Sequence, residues 1–347
     1  TGFEPTDSKN FNVPKTVTKM KALLVDSSAD QPKMVLGDHP SPKPAAGELL
    51  VKIEATALNR ADLLQKAGKY PPPEGTSPIL GLEMAGTVEE VGEGVTLFEK
   101  GDAVFGLLPG GGYAEYCTIH EELAMPVPES VSIEEAAGIA ETFLTAFQAL
   151  LWNGEIYDGE TVLIHAGASG VGTSAIQLAK QVYGAKVITT AGSQDKLKLC
   201  KSLGADLAIN YKEQDFAEVI ETELGENSVD LIVDFVGSEY WNQNMDVLAM
   251  DGRLIHLALL GGATVEKMSL IPILRKRLTV RGSTLRNRSD LYKKLLTEEF
   301  TEIVFDLIAS GKIKPIIDSV YNWSDADKAH DRMAKNLNAG KIILNGM

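Results

Sequence analysis

The chain has 347 residues, 44% of them hydrophobic and 23% charged, and carries a net charge of −15 from 33 basic and 48 acidic side chains. That length exceeds one ordinary core and predicts two domains. The negative charge disfavours nucleic-acid backbones and anionic membrane surfaces as partners, and no apolar run approaches the roughly 20 residues that span a bilayer.

Residues 1–19 are polar, lack the apolar centre of a signal peptide and read as an extension outside the fold. Met20 to Val25 reads as a first strand, the prolines at 40, 42 and 44 mark a loop, and Glu48 to Thr56 reads as a second strand with alternating faces. A short helical stretch opens at residues 57–62 and ends in the Gly-Lys-Tyr-Pro-Pro-Pro segment 68–73. Short runs at 79–92, 100–105 and 110–116, separated by glycines, predict a partly open β-barrel. From Glu134 the pattern turns helical, through Ala136 to Leu151. Apolar runs then recur at 161–166, 186–191, 207–211, 229–235, 253–259 and 278–282, with helical segments between most of them. That alternation predicts a doubly wound parallel sheet covered on both faces. The last 60 residues predict a helix at 291–310, an extended run near Ile316, a helix near 325–336 and a strand at 340–344. The chain therefore reads as α/β, with a barrel domain over 20–142 and 286–347 that takes both ends of the chain and a Rossmann domain over 143–285 inserted in it. Cys117 and Cys200 cannot make a disulfide framework or a four-cysteine zinc site. Free thiols fit a reducing compartment, and the cytoplasm is the expected location.

The densest motif lies between Val162 and Lys180, where an apolar strand runs through a glycine-rich turn into a helix. Gly167, Gly170 and Gly172 form the pattern, and Ser169 stands where a second glycine is usual. Gly167 is expected to make the tight turn and Gly172 to let helix and strand pack closely. The segment Ala168, Ser169, Gly170 and Val171 is expected to present helix-start amides to a pyrophosphate, with the Ser169 hydroxyl added to the cradle. An NAD site normally carries an acid about 20 residues beyond the first glycine. Here the next strand ends in Thr190-Ala-Gly192-Ser193 with no acid at its tip, and Lys196 follows on the first turn of the next helix. Its ammonium can meet a 2′-phosphate, so NADPH is the expected cofactor. Asp195 dissents, though an acid at a helix start also serves the dipole alone.

The segments 57–62, 81–83, 108–112, 163–172, 190–193 and 210–212, in this order, resemble the zinc-independent quinone oxidoreductase family of the medium-chain dehydrogenase/reductase superfamily, most of all its tumour-suppressor-inducible, zeta-crystallin-like branch. The resemblance runs from about Met20 to the C-terminus. It implies a GroES-like barrel domain, NADPH-dependent reduction of quinones, a homodimer and a cleft between the domains. Tyr211 resembles a residue that contacts the 2′-phosphate, and Thr145 one that faces the nicotinamide. Val236, Gly237 and Ser238 after the fourth strand of the sheet, with Leu259, Leu260 and Gly261 after the fifth, stand where such a sheet gathers its ligand. By resemblance they line the ribose and nicotinamide.

Zinc-dependent relatives place a cysteine in the first helix and a histidine in a Gly-His-Glu motif. Here Asn59 stands near the first position and Leu82 replaces the histidine, so Glu83 is left without its partner ligand and no metal is expected. Without a Lewis acid, some donor must stabilise charge on the acceptor, and Tyr70, stiffened by Pro71, Pro72 and Pro73, is the candidate, with Asn59 holding ribose or acceptor. Tyr70 reads equally as a wall of the cleft. The run 278–282 would otherwise be an exposed sheet edge, which also predicts a homodimer. A basic stretch, Arg275, Lys276, Arg277, Arg281, Arg286 and Arg288, reads either as a guide for cofactor phosphates or as a solvated flank. The competing functions are an enoyl-thioester reductase and an NADPH-binding structural or regulatory protein of the crystallin kind.

Overall fold

A computed structural model describes residues 18–28 and 32–346 of the chain. Of the expected extension at 1–19, residues 1–17 lie outside the described residues.

Strands β1 (Lys19–Asp26) and β2 (Lys33–Pro40) form an antiparallel hairpin with Lys19 opposite Pro40. Where sequence gave only a proline loop, β2 runs up to Pro40. Its side chains are mostly exposed, so no apolar alternation marks it, and it is extended because β1 pairs with it. The barrel sheet is built on β3 (Glu48–Ala57), followed by β4 (Glu83–Val91), β5 (Ala103–Leu107), β6 (Tyr116–His120) and β7 (Ala124–Pro126). The expected strand at 110–116 is irregular, with the strand starting at Tyr116, and β7 at three residues is too short to leave a period.

The parallel sheet comprises β8 (Thr161–Ile164), β9 (Lys186–Ala191), β10 (Leu207–Asn210), β11 (Val229–Asp234), β12 (Leu248–His256) and β13 (Thr279–Gly282). Its order is β10-β9-β8-β11-β12-β13, so the strand order reverses between β8 and β11 and opens a crevice at their carboxyl ends. Alternate residues of these central strands feed two cores. Val162, Ile164, Leu231 and Val233 pack on one face, Leu163 and Ile232 on the other, all fully buried. Two covered faces explain why the strands read as continuous apolar runs.

The chain returns through β14 (Ile317–Asn322) and β15 (Lys341–Asn345), and β15 pairs antiparallel with β3, so segments from before and after the parallel sheet share the barrel sheet. Just before β15, the Gly340 amide donates to the Ala168 carbonyl at 2.8 Å and Ser169 bridges Gly340, which fastens the glycine-rich turn to the barrel. Helix Ala140–Phe147 continues into a wider π-helical turn, Gln148–Asn153, where sequence gave one regular helix. The expected junction at 142/143 falls inside that helix.

Candidate functional site

A cleft of ≈ 510 Å³ lies between the parallel sheet and the barrel. Of the residues singled out from sequence, Asn59, Ala168, Ser169, Gly170, Val171, Gly192, Lys196, Tyr211, Val236, Leu260 and Gly261 line it. Gly167, Gly172, Ser193, Gly237, Ser238 and Leu259 stand beside these along the chain without lining it, and Tyr70 and Thr145 lie off its lining.

The sheet-side wall is made chiefly of backbone. Ser169 caps helix Gly170–Tyr183, its Oγ accepting from the Gly172 amide at 3.0 Å. The hydroxyl expected to join a phosphate cradle is thus committed as an acceptor to the helix. The amides of Gly170 and Val171 are among those a helix start leaves without internal partners, and both residues face the cleft. The tight turn is made differently from the sequence expectation: the left-handed residue is Ala166, at φ 50, rather than Gly167. Gly167 is required by space instead, because a Cβ there would stand 1.9 Å from Thr189 Oγ1; at Gly172 one would meet the Ala166 carbonyl oxygen at 2.4 Å. This open helix start fits a pyrophosphate.

At the end of β9, Ser193 caps the next helix and Lys196 reaches across the cleft to donate to the Asn336 carbonyl at 2.8 Å. Burial holds the Lys196 ammonium below its ordinary value. Arg60, not singled out from sequence, meets the Asn336 side chain at 2.6 Å and also lines the cleft, so two cations converge at its mouth. Beyond β11, the Asp234 carboxylate accepts from the Val236 amide at 2.6 Å, while the Gly261 amide donates to the Val236 carbonyl at 2.8 Å. The two loops are thereby zipped together.

The barrel-side wall is made of buried charge. Lys341, 3% exposed, donates to Glu83 Oε1 at 2.6 Å, Asn59 Oδ1 at 2.8 Å and the Leu58 carbonyl at 2.9 Å. Asn59 Nδ2 donates to Glu83 Oε1 at 2.8 Å, and the Glu141 amide to Glu83 Oε2 at 2.9 Å. Glu83 therefore has a partner after all, an ammonium, and both ends of the Asn59 amide are engaged by the network. Asp62 accepts from the Asn59 and Gly81 amides, yet burial pushes its carboxyl up to about 6. Burial, with Glu83 beside it, pushes Glu141 up to about 8. Sequence reading missed Lys341, although a lysine opening the apolar strand Lys-Ile-Ile-Leu was a signal.

Tyr70 packs under Arg286, whose guanidinium carbon lies 5.3 Å from the ring centre, and partial burial raises the phenol above its ordinary value. Four others of the basic stretch are engaged within the fold. Arg277 pairs with Asp251, Lys276 caps three carbonyls between Met245 and Leu248, Arg281 reaches the Asn153 carbonyl and Arg288 stacks on Tyr292. None of it lines the cleft. Among the described residues no group of three or more histidine, cysteine or acidic side chains could hold a metal ion.

Two family models match the chain: the alcohol dehydrogenase GroES-like domain over residues 45–129 and the zinc-binding dehydrogenase over 170–306. A quinone oxidoreductase of Rattus norvegicus is 30% identical over 305 residues, which cover 87% of this chain and 90% of that protein. The solved structure of a mycobacterial protein complexed with NADPH superposes with a TM-score of 0.79 at 30% identity, over 94% of this chain and 100% of that one. The CurK enoyl reductase superposes with a TM-score of 0.79 at 28% identity, over 94% and 98%.

Proposed function

The chain belongs to the quinone oxidoreductase family of the medium-chain dehydrogenase/reductase superfamily, and from that premise we propose that it is a zinc-independent enzyme transferring hydride from NADPH to quinones, acting as a homodimer in the cytoplasm. It is an oxidoreductase that uses a nicotinamide cofactor. The observation that carries the finer reading is the corner formed by Gly192, Lys196 and Tyr211, which offers an ammonium and a phenol and no carboxylate at the strand tip. A ribose 2′-hydroxyl would find no acceptor carboxylate there, whereas a 2′-phosphate would find positive charge. The amides of Gly170 and Val171 hold the pyrophosphate and the zipped loops at 236–238 and 259–261 flank the ribose and nicotinamide, while Thr145 sits behind the cleft's lining on the helix that presents Thr142 to it.

A bound reduced nicotinamide supplies the hydride. What this chain supplies is position and charge. Lys341 takes the space between Glu83 and Asn59 that a metal would need, which supports zinc independence. Asn59, fixed at both ends, positions the network. Tyr70 lends its hydroxyl to the acceptor's oxygen. Strand β13 supports the homodimer: all four of its residues are exposed at a sheet edge, close in sequence to the exposed Leu270, Ile271 and Leu274. The buried thiols Cys117 and Cys200, both pushed up to about 12 by burial, fit a reducing compartment.

An enoyl-thioester reductase is the second reading, favoured by the likeness to the CurK enoyl reductase. Enzyme-dependent NADPH oxidation with a benzoquinone against a crotonyl thioester separates the two. The quinone should be turned over faster, and Tyr70→Phe should lower that rate by about tenfold or more with NADPH affinity kept. Faster turnover of the thioester would replace the quinone reading, and an unaltered rate in Tyr70→Phe would leave the ring as a wall.

A further inference from the structure

Arg286 is buried in a way that its neighbours do not satisfy. Only 4% of it is exposed, its Nε donates to the Pro109 carbonyl at 2.8 Å, and Nη1 and Nη2 both lie out of water without an acceptor. A guanidinium keeps its charge at any ordinary pH, and unpaired buried N–H groups are costly. Such a group persists in a fold when something else completes it. Glu141 stands nearby with the complementary defect: its Oε2 is buried and unpartnered, although the residue as a whole is partly exposed. Each carries weight in the other's titration, yet the pair forms no hydrogen bond or ion pair among the described residues. Because Glu141 is pushed up to about 8, it gives Arg286 little charge at neutral pH, and Asp62, which also acts on the guanidinium, makes no hydrogen bond to it. Thr142, next to Glu141, lines the cleft, whereas Arg286, Glu141 and Tyr70 stand behind its lining and the Tyr70 ring covers the guanidinium, so an anion reaches the Nη groups by displacing that ring.

We propose that Arg286 is the oxyanion-holding residue of the acceptor site, its two free Nη groups taking the oxygen of a phenolate-type anion. A forked, permanently charged donor suits an oxygen that gains charge on reduction. A quinone that accepts a hydride from a reduced nicotinamide gains two electrons and one hydrogen and becomes a hydroquinone monoanion, which is a phenolate. The second proton comes from water, and Arg286 donates hydrogen bonds without giving up a proton. That an acceptor is reduced at this place rests on the quinone reading above; the anion site itself does not.

The probe is 4-nitrophenol, titrated into the full-length protein without cofactor and followed by the absorbance of its phenolate. The wild type should bind the phenolate in preference to the phenol and lower the dye's apparent pKa. Arg277→Met, which removes a surface charge paired with Asp251, should bind it as well as the wild type. Arg286→Met should bind it about ten- to a hundredfold more weakly, and Arg286→Lys should recover part of the loss. No phenolate binding by the wild type, or unchanged binding by a folded Arg286→Met, overturns the proposal. Should Arg286→Met fail to fold, a wild-type crystal grown with the phenolate decides. Its oxygen within hydrogen-bond distance of both Nη groups supports the assignment, and a phenolate seated elsewhere overturns it. Phenolate binding through Arg286 without any quinone reduction would sink the quinone reading and leave this site standing.

Discussion

The two walls of the cleft are built by opposite means. On the sheet side the glycine-rich turn, residues 166–172, is one continuous stretch that offers backbone amides and leaves out side chains, and its closest approaches are to Thr189 and to the turn itself. The barrel-side wall gathers Asn59 and Asp62, Glu83, Glu141 and Lys341 from four separate segments, and side-chain charge holds it together. A backbone site is written in consecutive residues and survives in sequence as a spacing. A site made of side chains is written only in the fold. The first kind suits the constant part of a reaction, a phosphate-bearing cofactor, and the second suits what varies, the acceptor.

The largest effect that would break this contrast lies on the barrel side. Lys341→Met leaves Glu83 buried without its ammonium, and losing one partner of a buried pair costs about 3–5 kcal/mol. Urea denaturation should show that loss, and Lys341→Met combined with Glu83→Leu should regain part of it; a single variant as stable as the wild type would mean that the network is idle. On the sheet side the expected effect is on affinity rather than stability. Lys196→Ala should weaken NADPH by about 10–100-fold and NADH little, since a charge-assisted bond to phosphate is worth about 1.5–3 kcal/mol. Fluorescence titration with both cofactors reads the difference, and equal losses would mean that Lys196 does not meet a 2′-phosphate.

A smaller effect follows from Glu141. Its folded-state value is raised, to about 8, above the ordinary carboxylate value of 4.5. An acid shifted upward leaves stability intact below the unfolded value and loses it as pH rises through the folded one. The wild type should therefore lose on the order of 1–3 kcal/mol between about pH 5 and pH 8 relative to Glu141→Gln. Urea midpoints across that range that run parallel for the two proteins would show that Glu141 is not held neutral.

The same contrast explains what the sequence disclosed. The parallel sheet was legible strand by strand because central strands buried on both faces, such as 161–164 and 229–234, leave long apolar runs. The glycine turn was legible by spacing, but its mechanics were not: φ at Ala166 and the distance from Gly167 to Thr189 depend on the neighbouring strand. Strand β2 was hidden because its exposed residues carry no alternation. Lys341, Glu141 and Arg286 were hidden as a group because nothing in a linear chain says that positions so far apart share one buried volume.

The central claim is that this chain reduces a quinone with NADPH while a buried ammonium occupies the place a catalytic metal would need. The most direct test is the rate of quinone-dependent NADPH oxidation by protein exhaustively treated with a chelator, measured before and after addition of zinc. The account predicts the same rate in the untreated, chelated and zinc-supplemented protein. Turnover that vanishes on chelation and returns with zinc would contradict it.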